Sequence, residues 1–186
     1  MKDLSILTLN NKDINDFANE RNELLKTVKT KWVLFIDGDE KLSSPIKNIS
    51  ESYDGYILKR KNYFLRDYVG TDKIIRLAKK DAGKWKRAVH ETWQIDSGKV
   101  GELDEFIIHN TAESLLSYLN KMNHYSGLHA KANLNEGKRS NLLKIIFFSI
   151  GKFIVTFFKS RHVTFSIIQS LHSYLSWTKL YFLQHS

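Results

Sequence analysis

The sequence predicts an α/β core followed by a basic helical tail. Residues 32–36, Trp-Val-Leu-Phe-Ile, form a continuous apolar run of the kind that becomes a strand buried on both faces. Strand-like and helix-like segments alternate around it through the first two-thirds of the chain, and from Glu113 onward the pattern is helical only. With 186 residues, 42% hydrophobic and 26% charged, the chain has room for one ordinary domain and a small appendage.

Residues 5–9 read as a short apolar strand, and residues 15–29 as a helix whose apolar stripe is Phe17, Leu24, Leu25 and Val28. The strand at 32–36 then stops in Asp37-Gly38-Asp39-Glu40. Further strands are predicted at 55–60, 73–79 and 103–108, joined by polar or glycine-bearing turns. Helices follow at 113–134, 141–159 and 164–183. The expected division is a core over residues 1–112 and a helical tail over 113–186.

Composition excludes several chemistries. There is no cysteine, so disulfide scaffolds, thiolate metal sites and cysteine nucleophiles are ruled out. No Gly-x-Ser-x-Gly, phosphate-cradling glycine loop or His-Glu-x-x-His occurs. The net charge is +9, and residues 131–186 carry +7 of it, which points to an anionic partner for the tail. Residues 1–11 lack the features of a secretory leader. Residues 142–158, the best spanning segment, are interrupted by Lys144 and Lys152. A cytoplasmic location is the expectation.

Within the tail, Leu142, Ile146, Ile150, Phe153 and Phe157 share one helical face, while Lys144, Lys152 and Lys159 share another. Two readings fit: a helix lying in a membrane interface, or one packed on the core with its lysines in water.

The Asp37-Gly38-Asp39-Glu40 turn lies where α/β proteins place their ligand crevice, at the C-terminal edge of a buried strand. Aspartates separated by one residue can reach the same hard cation, and Gly38 lets a diphosphate approach the backbone. The plainer alternative is an acidic turn. Val89-His90-Glu91 and His109 form a second constellation: a carboxylate near a cation can act as general base, and a neutral imidazole can complete its coordination.

Taken in order, Phe17-Ala18-x-x-Arg21-Asn22, the run from Trp32 to Glu40, Arg76-Leu77, Gly83-x-Trp85, Val89-His90-Glu91, Gly101, His109, Lys121 and Tyr125-Ser126 resemble family-2 glycosyltransferases. The nearer likeness is to the lipopolysaccharide-core glucosyltransferase subgroup, and it continues through Lys152-Phe153, Tyr174 and Lys179-Leu180. The resemblance implies a GT-A fold, a partly Rossmann-like mixed sheet, and inverting transfer of a sugar from a nucleotide-diphosphate donor. It places Asp37, Arg76 and Arg21 on the donor, Asp39 and His109 on a divalent cation (Mn²⁺ or Mg²⁺), and Glu91 as the base, with His90 able to share that work.

The implied partners are a nucleotide-diphosphate sugar, a cell-envelope glycan or lipid-linked acceptor, and the anionic inner face of the cell membrane. Nucleic acid is not expected, because the tail's aromatics fall within apolar helical runs. Gly38 stands where the family more often has alanine. Only 36 residues precede Asp37, room for at most one strand–helix unit where the family has two. The resemblance therefore implies an N-terminally shortened core whose strand at 32–36 exposes an edge. Such a chain is a shortened reading frame, one half of a split enzyme completed by a second chain, or a remnant that binds without turning over, a non-catalytic scaffold.

Overall fold

The computed structural model describes residues 3–9 and 14–186. Residues 1–2 and 10–13, and with them part of the 1–11 stretch read for a leader, lie outside the described residues. The architecture is mixed α/β. In order the elements are β1 (Leu4–Leu7), α1 (Phe17–Thr27), β2 (Trp32–Phe35), β3 (Glu40–Leu42), β4 (Gly55–Phe64) and β5 (Asp67–Lys79). They continue with β6 (Gly83–Lys86), β7 (Thr92–Ile95), β8 (Val100–Ala112), α2 (Leu115–Asn135), α3 (Leu142–Ser160) and α4 (Val163–Leu183).

Six strands form one sheet in the order β1-β2-β5-β4-β8-β3, and β6 pairs with β7 in a separate hairpin. The sheet is mixed: β1 runs parallel to β2, whereas β5 is antiparallel to β2 and β3 antiparallel to β8. The expected exposed edge at residues 32–36 is corrected here, since β1 and β5 flank β2 on both sides. Val33, Leu34 and Phe35 are fully buried. Alternation along the strand sends Val33 and Phe35 to a core with Ala18, Leu25, Trp85 and Trp93. Trp32 and Leu34 face the opposite core, with Ile46, Tyr56, Leu58, Leu77 and Ile107.

Strands β3, β6 and β7 were not expected, and β4, β5 and β8 run longer than the sequence suggests. The β6–β7 hairpin is polar by sequence but sets Trp85 opposite Trp93, with their rings stacked at 5.2 Å and both edge-on to Phe35. Asn22 fixes β6 from outside. Its amide donates to the Trp85 carbonyl and accepts from the Trp85 N–H, both at 3.0 Å.

The chain divides into two compact units, one comprising the residues up to Asn62 with Thr71–Asn110, the other Tyr63–Gly70 with Thr111–Ser186. The second unit is helical, with the tip of the β4–β5 hairpin built into it. That tip turns through Leu65 and Arg66, at φ 49° and 80°, the left-handed pair a two-residue hairpin requires. Phe64 and Val69 beside it pack with Met122 and Ile168.

Each helix of this unit starts on a side-chain cap: Ser114 in a capping box with Ser117, Asn141 accepting from the Lys144 N–H, and His162 accepting from the Phe165 N–H. Lys179 of α4 donates to the Asn123 carbonyl, the Asn123 side chain and the Ser126 hydroxyl of α2 at 2.6–2.8 Å. The apolar face expected of α3 is mostly left uncovered. The residues α3 buries are Ile145, Ser149 and Thr156, while Leu142, Ile146 and Ile150 are exposed and Phe153 and Phe157 half-buried.

Candidate functional site

At the end of β2 the Ile36 N–H donates to the Leu7 carbonyl at 3.0 Å, which carries the parallel ladder to the edge of the acidic turn. The turn closes on itself. The Glu40 N–H donates to the Asp37 carbonyl at 2.9 Å, and the Asp37 N–H donates to Glu40 Oε2 at 3.1 Å. Glu40 is thereby drawn inside, its side chain 1% exposed. Three charged groups of the turn thus meet two different environments.

The first is a buried ion network. Arg21, on α1, extends Nη2 to both oxygens of Asp37 at 2.8 Å and donates through Nε to Glu91 Oε1 at 3.1 Å. Arg76, on β5, donates to Asp37 Oδ2 at 2.9 Å and to Glu40 Oε1 at 3.3 Å. Arg60, on β4, joins Glu40 at 3.1 Å to Asp72, which it grips through two bonds of 3.1 and 2.7 Å. Burial pushes the Asp72 carboxyl up, but the Arg60 guanidinium with help from Asn62 outweighs it and holds it below its ordinary value.

The guanidinium of Arg21 also lies against aromatics, 5.1 Å from the Phe35 ring and 4.7 Å from Trp85, with Arg76 at 5.6 Å from Trp85. Adjacent residues on α1 therefore divide the labour: Asn22 pins the hairpin, and Arg21 ties the hairpin's loop to the acidic turn. Among the described residues, Nη1 of Arg21 and Nη1 of Arg76 are buried donors with no hydrogen-bond partner, though Arg76 Nη1 lies 3.9 Å from Glu91 Oε1. Unmet buried donors on two guanidinium groups mark a place where an anionic or neutral oxygen would be welcome.

The second environment surrounds Asp39. The antiparallel pairing of β3 with β8 sets Glu40 opposite His109, and the Asn110 N–H donates to the Asp39 carbonyl at 2.9 Å. Asp39 Oδ2 then lies 3.5 Å from His109 Nε2. His109 Nδ1 is 2.7 Å from Asn62 Oδ1, while the Asn62 amide nitrogen faces the Arg60 carbonyl and Asp72 at 3.4 Å. Because Asn62 Oδ1 only accepts, Nδ1 carries the proton. In the neutral ring Nε2 is then an acceptor facing an acceptor, and a proton or a cation between them satisfies both.

The structure thus brings together Arg21, Asp37, Arg76 and Glu91 in one cluster, and Asp39 with His109 in another. His90 is exposed on the loop between β6 and β7, in a left-handed conformation at φ 58°. Among the described residues no group of three or more acidic, histidine or cysteine side chains is placed to hold a metal ion. A surface cleft of about 690 Å³, lined by Lys31, Asp54, Lys79 and Ser97 among others, contains none of the predicted site residues.

Sequence reasoning named Glu40 in the acidic turn without giving it a role, and missed Arg60, Asn62 and Asp72. Those three had no signal, since strand register alone brings them to the site.

No protein-family model matches the chain. It is 26% identical over 160 residues to an uncharacterized glycosyltransferase of Rickettsia bellii, covering 74% of this chain and 54% of that protein. A second, of Rickettsia conorii, is 27% identical over 179 residues, covering 80% and 64%. A third, of Rickettsia typhi, is 27% identical over 158 residues, covering 72% and 54%. The chain spans between 54% and 64% of the length of these curated relatives. Fold and site together define a mixed α/β protein with a charge-lined acidic turn, similar in sequence to proteins named as glycosyltransferases.

Proposed function

We propose that this chain serves glycosyl transfer, as a metal-dependent, inverting glycosyltransferase of the GT-A, family-2 type. The donor would be a nucleotide-diphosphate sugar, and the acceptor a cell-envelope glycan or lipid-linked sugar of the lipopolysaccharide-core kind, met at the cytoplasmic face of the membrane. One observation carries the reading: a single guanidinium, Arg21, bonds both Asp37 and Glu91, so two acidic motifs 54 positions apart belong to one site. The names of the Rickettsia relatives support it.

In this reading Asp37 accepts hydrogen bonds from the donor's ribose. Its side chain keeps 24% of its exposure while tied to two arginines, so it can do so without leaving them. Arg76, tied to Asp37 at 2.9 Å, is the candidate phosphate contact. Arg21, 1% exposed, acts through the carboxylates it holds. Glu91 takes the proton of the acceptor hydroxyl, with exposed His90 beside it as the second group able to do so.

Asp39 and His109 are the groups that would hold a divalent cation. Donors about 2.1 Å from one octahedral ion lie roughly 3 Å apart, which the 3.5 Å between Asp39 Oδ2 and His109 Nε2 nearly matches. The Asn62 bond keeps the Nε2 lone pair available. When bound, the cation supplies positive charge to the diphosphate leaving group.

A second reading has its own support. Asp37, Glu40 and Glu91 are each neutralised by internal arginines, as in a network that only stabilises a scaffold. Calorimetric titration of UDP-sugars and GDP-sugars, with and without Mn²⁺, separates the two. Manganese-dependent binding that disappears in Asp39→Ala is expected for the enzyme. Absence of such binding in the folded wild-type protein would leave the scaffold.

A further inference from the structure

We propose that the outward face of α3 is an interfacial anchor whose partner is an anionic lipid bilayer. The inference does not depend on sugar transfer. It begins with an inversion of burial along one helix. The residues α3 buries are Ile145 and two small hydroxyl residues, Ser149 and Thr156. The Ser149 hydroxyl donates to the Ile145 carbonyl of its own helix, and the Ser149 carbonyl accepts from Ser170 of α4 at 2.8 Å. That face is small, satisfied and closed.

The other face carries Leu143, Phe147, Ile150, Ile154 and Phe158, each 47 to 65% exposed. At 3.6 residues per turn these five side chains span an arc of about 80°, centred about 160° from the buried stripe. Five large hydrocarbons held in water on a helix already packed on its other side form a patch with something still to cover it.

Charge identifies what covers it. No Asp or Glu follows Glu136, so residues 137–186 carry seven basic side chains and no acid. Three of them stand on α3 itself, Lys144 about 80° round the helix from the centre of the arc and Lys159 and Lys152 about 140° and 160° from it, and Arg161 follows at the helix's left-handed C-cap. A second copy of this surface would set like charges against each other with no acid to offset them. A bilayer rich in anionic headgroups meets both features at once, taking the hydrocarbon into its acyl boundary and the lysines at its surface. Among the described residues no helix is long and apolar enough to cross a membrane, so α3 lies along the interface.

The test is flotation of the full chain with phosphatidylcholine vesicles, with and without about 30 mol% phosphatidylglycerol. Wild type is expected to float with the anionic vesicles and to be released as salt rises from ~0.1 M to ~0.5 M. The triple variant Phe147→Ser/Ile154→Ser/Phe158→Ser should lose about tenfold or more of that partitioning. Lys152→Glu/Lys159→Glu should lose the preference for anionic over neutral vesicles. Thermal melts by circular dichroism verify that both variants fold, as surface positions predict. Flotation of the triple-serine variant equal to wild type would overturn the proposal, as would no flotation of wild type at low salt. A wild-type dimer in light scattering that the triple variant abolishes, without flotation, would make the face a self-interface instead.

Discussion

Around Asp37 the chain buries charge, whereas along α3 it exposes hydrocarbon. Arg21 and Glu40 have side chains only 1% exposed, while Phe147 and Phe158 stand 65% and 62% exposed. Both departures oppose the ordinary partition of polar groups outside and apolar groups inside. They are tolerated for different reasons. The buried charges are offset within the chain, through alternating arginines and carboxylates supported by aromatic faces. Among the described residues nothing covers the exposed hydrocarbons. The first region is therefore nearly complete as it folds, with Nη1 of Arg21 and Arg76 and Nε1 of Trp85 and Trp93 the buried donors left unmet among the described residues, and the second is the face proposed to meet a partner.

The most disruptive way to break this contrast is to remove Arg21. Arg21→Ala leaves Asp37 to Arg76 alone and Glu91 with only the more distant Arg76, and should cost about 2–4 kcal/mol in urea unfolding. Arg21→Lys keeps the charge but cannot bond Asp37 and Glu91 together, so it should recover only part of that loss.

Next in size is an effect on binding rather than folding. Asn62→Ala removes the acceptor that orients His109, and manganese affinity measured by calorimetry should fall about 10–100-fold. An unchanged affinity would dissociate His109 from the metal. In the helical unit, Lys179→Met deletes the three bonds that join α4 to Asn123 and Ser126, and should lower stability by about 1–2 kcal/mol.

The smallest effects are in the pH response, where Asp72 of the sheet unit and Tyr118 of the helical unit should fail at opposite ends. Asp72 is held below its ordinary value by Arg60. The stability it contributes is present above the unfolded value of about 3.9 and is lost as pH falls through the lowered folded value. Arg60→Met should flatten that acid limb. Tyr118 is pushed up to about 12 by burial, with Gln169 acting weakly the other way. Its contribution is present below the unfolded value of about 10 and is lost as pH rises through the folded one. Tyr118→Phe should remove this alkaline decline, at a neutral-pH cost of about 1 kcal/mol for the lost Gln169 bond.

The legible parts of the molecule are those written in neighbouring residues. The apolar run at 32–36, the acidic turn after it and the three tail helices depend on burial pattern and local capping, and they stand where periodicity puts them. β6 and β7 were invisible because Gly-Lys-Trp-Lys has no strand signature of its own. It becomes a strand when Asn22 holds Trp85 and Trp93 stacks on it. The acidic residues of the candidate site could be named in advance, but not their different fates.

By itself the sequence determined that Asp37, Asp39 and Glu40 would crowd the end of a buried strand, and that the tail would be helical and basic. Only the tertiary structure decided that Asp37 and Glu40 are tied to arginines, that Asp39 turns to His109, and that Asn62 orients that ring. It also decided which face of α3 looks outward. The physical reason is common to all of these: a side chain's partner across a sheet or a bundle is chosen by strand register and by which residues are small enough to pack inward, and neither is a property of local spacing.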